Sequence, residues 1–583
     1  MHPVNSQELP HELAAGNGFS IGYRGKTLLS KIDPIGQSER IIQNVHTAEG
    51  TLYLCPSPLY GYGLNFLLDN LKNNSAILCI EADNLLYEFS LQKMKSLLDV
   101  KIGAKKNRIV LLKTEAGPYT AAYLCEAVKK IWGGRSFRRI EMIRLTGGWQ
   151  LYPDHYNCLV TALQKDIATV WGNAMTLIKL GRLYAKNAVR NLALLPESGD
   201  ISQLDYGENP VLVLGAGPGM DVMLDKIPAQ LSVPQNRPFR IICADTCMTS
   251  LKERNIKPDL AVILESQFWN LRDFINTRGQ KIPAAVDLSA LPASTRVLDG
   301  KNYFFWTPWT KLRLFDRLQK LGLLPPGLLP LGSVGLTAVE LARSIGCGPV
   351  ITAGLDFAFT VDSYHARSSP GHLARLASAN RFKSLLNAET AYREGTFTLQ
   401  SESGENVRSD PAMRGYRDLF EAEFSGTDRI FQIKGPGLAL GVKELDAADA
   451  LRLLTSPHPP AAGASMAKTH TDAAGLYAGH KYLHGENKAG EKKAAISGFI
   501  KNEMQNLLKL RAFLTGQIPV LVVDLDEILD TCDYLWAHFP ECAAAEGRRP
   551  PASDLGFLKR VRMEIEPFLK IWEKALIQVQ ELH

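Results

Sequence analysis

Val211-Leu-Val-Leu-Gly215-Ala-Gly217-Pro-Gly219 is an apolar strand running straight into a glycine-proline turn. A helical pattern follows, and then a second strand that ends on an acid, Arg240-Ile-Ile-Cys-Ala-Asp245. A glycine-rich turn between a buried strand and a helix lets backbone N–H groups approach a phosphate, and the helix N-terminus favours its negative charge. A phosphate or nucleotide cradle is one reading of the turn; a purely structural tight turn is the other. The dinucleotide fingerprint G-x-G-x-x-G is broken, because Met220 stands where the third glycine belongs and Pro218 sits inside the turn. No G-K-[ST] follows, so the turn is not a Walker loop.

Around this turn, strand candidates at 211–214, 239–244, 260–264, 302–306 and 349–353 alternate with helical patterns over about 205–440. That order predicts an α/β, Rossmann-like, doubly wound sheet with ligands at the carboxyl ends of its strands. A smaller α/β domain precedes it, with apolar runs at 51–55, 76–80 and 108–112 and a helical pattern at 119–132. There Gly61-Tyr-Gly63 and Glu81 resemble the glycine turn and ribose-binding acid of S-adenosylmethionine methyltransferases. The prolines of Cys55-Pro-Ser-Pro58 stiffen that loop and favour a scaffold without ligand. Residues 160–194 read as one or two long helices, with no proline before Pro196. Residues 456–494, rich in Ala, Gly, His, Pro and Lys, read as a solvated linker, with histidines 458, 470, 480 and 484 exposed. The remainder is helix-rich, and Leu558, Val561, Ile565, Phe568 and Trp572 form a stripe that is either core or partner-facing. The expected domains are 1–150, 151–445 and 446–583.

At 583 residues the chain exceeds one compact core. Its formal charge of +6 is small for this length and does not argue for a nucleic-acid partner. No signal peptide and no membrane-spanning run is found; IPVLVV at 518–523 is too short. Cysteines 55, 79, 125, 158, 243, 247, 347, 532 and 542 include no C-x-x-C pair and no zinc spacing, which predicts reduced, mostly buried thiols in a cytoplasmic protein and no metal site.

Asp245 and Glu265 end adjacent strand candidates, so their carboxylates converge on one crevice. Ligand contact and helix capping both fit Asp245. Gly332-Ser333 opens the helical pattern of GSVGLTAVELARSIG and offers free N–H groups to an anion. The strand Pro349–Ala353 leads into Gly354-Leu-Asp356-Phe357 and the polar loop Asp362-Ser-Tyr364-His365-Ala-Arg367. Asp524-Leu-Asp526 after an apolar run has the look of a metal–nucleotide motif. The helical residues after it leave no sheet for such a site, and a helix with Asp526, Glu527 and Asp530 on its solvated side explains it better.

In this order, GAGPG, the acid-ended strands, GSVGLTAVELARSIGC and GLDFAFTVDSYHA resemble the motility accessory factor family of flagellin glycosyltransferases. That family shares a domain with archaeal pterin pyrophosphokinase-like proteins. The motif order is also similar to the Campylobacter-type sialyltransferases. The likeness extends over most of 15–445: Asn17–Pro34 resembles the family's opening, Trp171-Gly-Asn173 with Asn187 and Asn191 its connecting helices, and Ile430–Leu445 the strand-rich close of its catalytic domain. The resemblance implies a catalytic glycosyltransferase-like domain with leading helices over 151–445. It implies an inverting transfer of a nonulosonic acid from a CMP-activated donor to Ser or Thr of flagellin, with no cofactor required. His365 would be the general base, with His372 in reserve, and Tyr364 and Ser333 would stabilise the leaving phosphate. Gly215, Ala216, Gly217, Pro218, Gly219 and Gly332 would line the CMP. Asp245, Glu265 and Asp356 would contact cytidine and ribose or support the pocket, and Arg367 would meet the sugar carboxylate. Gly219 stands where the sialyltransferases have serine, and Asp245 and Glu265 where they commonly have asparagine. The other readings are a Mg-dependent pterin pyrophosphokinase-like enzyme and a non-catalytic flagellin-binding assembly factor. The oligomeric state is left open.

Overall fold

The computed structural model describes residues 9–99, 108–115, 117, 120–386, 388–456, 489–518, 522–545 and 547–581. Histidines 458, 470, 480 and 484 lie outside them. The chain divides into two compact units, Met1–Lys179 with Phe539–Arg549, and Leu180–His538 with Pro550–His583. The division falls within one 40-residue helix, Pro153–Leu192.

The first unit holds a four-stranded parallel sheet in the order Ile109–Lys113, Ala76–Glu81, Thr51–Pro56, Arg139–Met142. Its last strand escaped the sequence reading because Arg-Ile-Glu-Met has no apolar run. At the carboxyl end of the second strand Glu81 is fully buried. Its Oε1 accepts from the Tyr156 hydroxyl at 2.9 Å and from the N–H groups of Ala82 at 2.9 Å and Asp83 at 3.1 Å. Tyr23, Arg24 and Tyr152 converge in the same way on Asp83. The acid that resembled a ribose ligand is thus held by the unit's own side chains.

The second unit is built on nine parallel strands. Their order is Lys443–Leu445, Ile430–Ile433, Val350–Ala353, Val211–Leu214, Arg240–Ala244, Leu260–Ile263, Ile282–Asp287, Asp299–Phe305, Gly199–Asp200. From the central 211–214 strand the chain winds outward to one edge, then returns to 350–353 and winds to the other. The carboxyl ends of 211–214 and 350–353 are therefore the switch point at which doubly wound sheets bind ligands. The strand at 282–287 was not expected, since Pro283 argues against an interior strand. The sheet admits it through a register shift between Ile282 and Ala284, opposite Gly300. One face is covered by the Val334–Ile345 helix, whose Leu336, Val339 and Leu341 pack with Val211, Val213, Ile242 and Val262.

The C-terminal helices Ala489–Leu514 and Leu555–Glu581 belong to this unit and pack on each other. Val561, Ile565, Phe568 and Trp572 are buried, and the Trp572 ring meets Phe499 at 6.2 Å. The apolar stripe is core. Asp524 and Asp526 lie on the Val522–Thr531 helix, where Asp530 pairs with Arg313 at 3.0 Å. All nine cysteines are free; seven are buried, and Cys158 and Cys347 are exposed.

Two wholly buried asparagines at the end of the 40-residue helix hold the loops after the acid-ended strands. Asn187 Nδ2 donates to the carbonyls of Ser266 (3.0 Å) and Ser289 (3.1 Å). Asn191 Nδ2 donates to those of Leu288 and Ala290, both at 2.9 Å. Replacing either amide leaves two buried carbonyls unpaired. We expect Asn191→Ala to lose about 2–3 kcal/mol of stability, read by urea unfolding of the full chain.

Candidate functional site

Four of the motifs singled out in the sequence meet at the switch point. Gly215, the 354–356 turn and the head of the 334–345 helix share one contact: a Cβ on Gly215 or on Gly335 would strike the Leu355 side chain. Gly354 takes φ +75°, and a Cβ there would also strike the Gly215 carbonyl, so only glycine permits this approach. The fourth motif, the polar loop, is tied to the turn through its backbone, Ala366 N–H donating to the Ala216 carbonyl at 2.9 Å.

The turn itself corrects the expectation drawn from it. Most of its N–H groups are used inside the protein: Gly215 donates to Ala353, Gly217 to Gly354 and Met220 to Gly217. Gly219 N–H donates to Oδ2 of Asp356 at 2.8 Å. A Cβ on Gly217 or Gly219 would collide with that carboxyl group. A resident acid therefore stands where a phosphate was expected, and the glycines make room for it. The helix that follows the turn, Gly219–Leu224, is only six residues long. Asp356 is 7% exposed, and burial pushes its carboxyl up to about 7 against the opposing Gly219 hydrogen bond.

A second glycine-proline loop, Lys434-Gly-Pro-Gly-Leu438, closes over this pair. Leu438 N–H donates to the Asp356 carbonyl at 2.9 Å, and a Cβ on Gly437 would strike the Asp356 backbone. Gln432 fixes the loop, accepting from Leu440 N–H at 2.7 Å and donating to the Leu438 carbonyl at 2.9 Å. The sequence reading gave these residues no role, although the repeat of Gly-Pro-Gly at 217–219 and 435–437 was visible.

His365 is hydrogen-bonded to the Ala216 backbone and packs edge-on against Tyr364, ring centroids 4.6 Å apart. Burial holds its imidazole below the ordinary value; the Ala216 bond opposes this, and Arg272 and Arg375 add to it. Tyr364 is half-buried against Phe359. His372 is tied to its own loop, Nδ1 accepting from Ser368 N–H at 3.1 Å. Arg367 is paired outside the crevice: its N–H donates to Asp221 at 2.9 Å and its guanidinium bonds Asp225. A substrate carboxylate would have to compete with those acids. Ser333 is the N-cap of the 12-residue helix 334–345 and makes no side-chain cap bond, while Gly332 at φ +69° abuts Tyr416.

The outer strands supply acids. Asp245 is buried and accepts from Asn270 Nδ2 and Thr246 N–H, both at 2.8 Å. Burial and then the charge of Asp273 push it up to about 7. Asp245 begins a 3-10 turn without capping it by a side-chain bond. Glu265 is half-buried, its Oε1 accepting from Gln267 N–H at 2.9 Å. Asp287, missed because its strand was missed, accepts from Ser289 N–H at 2.7 Å and Thr307 Oγ1 at 2.8 Å, and burial raises it. The phenol of Tyr184 lies within the electrostatic reach of Glu265, Asp287 and Tyr416.

Two outcomes check this geometry. Gly217→Ala overpacks a fixed carboxyl group and should cost about 1–3 kcal/mol, measured as a lowered urea midpoint. Asp356 has an ordinary value of 3.8 and a folded value of about 7. The folded state therefore keeps a proton that the unfolded chain releases between those values, so its contribution to stability is complete below 3.8 and lost as the pH rises through 7. Asp356→Asn can still accept from Gly219 and does not titrate. Melting temperatures should show the variant gaining on the parent chain between pH 4 and pH 8 (~4 units spanning that window); a constant difference would contradict the assignment.

Residues 184–362 match the protein family described as 6-hydroxymethylpterin diphosphokinase MptE-like. An uncharacterized protein of Treponema pallidum (strain Nichols) is 28% identical over 570 residues, 96% of this chain and 95% of its own length. A 6-hydroxymethyl-7,8-dihydropterin pyrophosphokinase of Methanothermobacter thermautotrophicus is 28% identical over 197 residues, 33% of this chain and 76% of its own. The structure of MAf glycosyltransferase from Magnetospirillum magneticum AMB-1 is similar at a TM-score of 0.49 and 15% identity, over 99% of this chain and 92% of that one. The matched segment takes in the glycine turn, Asp245, Glu265, Ser333 and Asp356, and it ends before Tyr364, His365 and Arg367. Residues 184–362 of this chain are thus similar to the MptE-like family.

Proposed function

We propose that the protein is an inverting glycosyltransferase that moves a nonulosonic acid from a CMP-activated donor to serine or threonine hydroxyls of flagellin, acting in the cytoplasm. The observation that carries the proposal is the place of His365: its neighbour Ala366 bonds the Ala216 carbonyl at 2.9 Å, which brings the imidazole to the switch point, and burial holds it below its ordinary value. The acceptor hydroxyl oxygen attacks the anomeric carbon from the face opposite CMP. The bond from that carbon to the phosphate oxygen breaks, CMP leaves with the electron pair, and His365 takes the hydroxyl proton. Since Asp356 fills the glycine turn, the leaving phosphate is assigned to the head of the 334–345 helix. There the first-turn N–H groups and the Ser333 hydroxyl stabilise developing negative charge. Tyr364 is the further candidate donor. Asp245, Glu265 and Asp287 supply acceptors for the ribose hydroxyls and the cytosine amino group, a role that suits their position at neighbouring strand ends.

A second reading, diphosphoryl transfer to a pterin, is favoured by the family that residues 184–362 match. Among the described residues no three His, Cys, Asp or Glu side chains converge to hold a metal ion. A magnesium ion there would rely on one or two carboxylates and the nucleotide's own phosphates. The matched segment ends at residue 362, before His365, and the two readings differ in the use they make of that histidine.

His365→Ala should lower transfer by about 10²–10⁴-fold with an unchanged melting temperature, measured with purified flagellin and CMP-nonulosonate. The acid limb of kcat/KM should fall below pH 6.5, because the imidazole lies below that ordinary value. Undiminished transfer by the folded variant removes His365 from the mechanism; ATP- and magnesium-dependent pterin diphosphorylation without sugar transfer would replace the reading.

A further inference from the structure

Two segments beside His365 leave large apolar side chains in solvent. After the 260–263 strand, the Phe268–Phe274 turn exposes Phe268 and Trp269, each by 70%, with ring centroids 6.4 Å apart. Across from it the Pro370–Ser378 helix exposes Leu373 and Leu376. Ile275, next to the turn, and Leu373, on the helix, line one surface pocket of about 340 Å³ with Thr249, Lys252, Glu253, Asn276 and Arg278. The pocket carries two cations against one acid, and the Lys252 ammonium is fixed by donating to the Asn276 carbonyl. Arg272 on the turn, paired with Asp273 at 3.6 Å, and Arg375 on the helix both lower the proton affinity of His365.

We infer that this rim is the docking surface for the acceptor protein, the pocket between Ile275 and Leu373 receiving an acidic side chain flanked by apolar ones. The inference rests on the transferase reading, and it adds where the acceptor binds and what chemistry recognises it. Exposed aromatic rings on the same turn segment as Ile275, with Arg278 and Leu373 in the pocket, are the composition of protein-binding hot spots. Phe268 and Trp269 are each 70% exposed, an apolar area that a protein partner would cover. The positive rim selects an acidic partner and speeds its encounter. Continuity with His365 requires that what docks here present its hydroxyl to the base.

The test measures binding without chemistry. Purified monomeric flagellin is titrated by calorimetry onto the full-length protein, onto Trp269→Ala, Leu373→Asp and onto Arg278→Glu, and CMP is titrated in parallel. These side chains lie at the surface, and melting curves check that each variant is folded. The expected result is flagellin affinity at least about tenfold weaker in each variant, about 1.4 kcal/mol, with CMP affinity within about twofold. Salt should weaken the parent's binding more than that of Arg278→Glu. Equal flagellin affinity in parent and variants overturns the inference, as does no binding by the parent, or loss in the variants of binding to anionic lipid vesicles in place of flagellin. A parent that binds flagellin through this rim and transfers no sugar leaves the docking surface standing and removes the transferase reading.

Discussion

The hydrogen bond from Gly219 N–H to the Asp356 carboxyl, 2.8 Å long, organises the centre of the second unit. It joins the end of the 211–214 strand to the end of the 350–353 strand, the two strands between which the sheet reverses its winding. The acid is buried, so its position must be exact in space and empty of other side chains. Gly217 and Gly219 below it and Gly437 above it meet that requirement by having no Cβ to place there. Gly215 and Gly335 give the same clearance to Leu355 one residue earlier. One resident side chain thus accounts for most of the glycines that first drew attention to the turn.

A consequence is that the proposed anion-binding role moves along the crevice. With the N–H groups of Gly215, Gly217 and Gly219 used internally, the head of the 334–345 helix, where Ser333 makes no cap bond, offers further backbone donors. His365, the proposed base, reaches the same crevice because its own backbone neighbour Ala366 is bonded to Ala216. The carboxylates of Asp245, Glu265 and Asp287 stand along the outer strand ends, and Asn187 and Asn191 hold the loops that follow Glu265 and Asp287. Among the described residues no helix is long and apolar enough to cross a membrane.

Much of this was legible in the sequence. Alternation of strand and helix gave the doubly wound sheet, and strands such as 211–214, 260–263 and 350–353 were found nearly to the residue because each is a short, uninterrupted apolar run bounded by turn residues. The strand 282–287 was hidden by Pro283, which a bulge admits, and with it went Asp287. The strand 139–142 was hidden by its charged residues. Side-chain partnership was not legible at all. Local spacing shows that a glycine turn can accept an anion, but not that an acid 137 residues later supplies it. The same holds for Arg367, whose pairing with Asp221 and Asp225 depends on how two loops meet.

The account's central claim is that this crevice modifies flagellin. Intact-mass measurement of flagellin from cells with and without this protein tests it most directly. The account predicts heavier flagellin in its presence, by whole multiples of one nonulosonic acid residue, and unmodified flagellin when it is absent or carries His365→Ala. Identical flagellin masses in all three would contradict it.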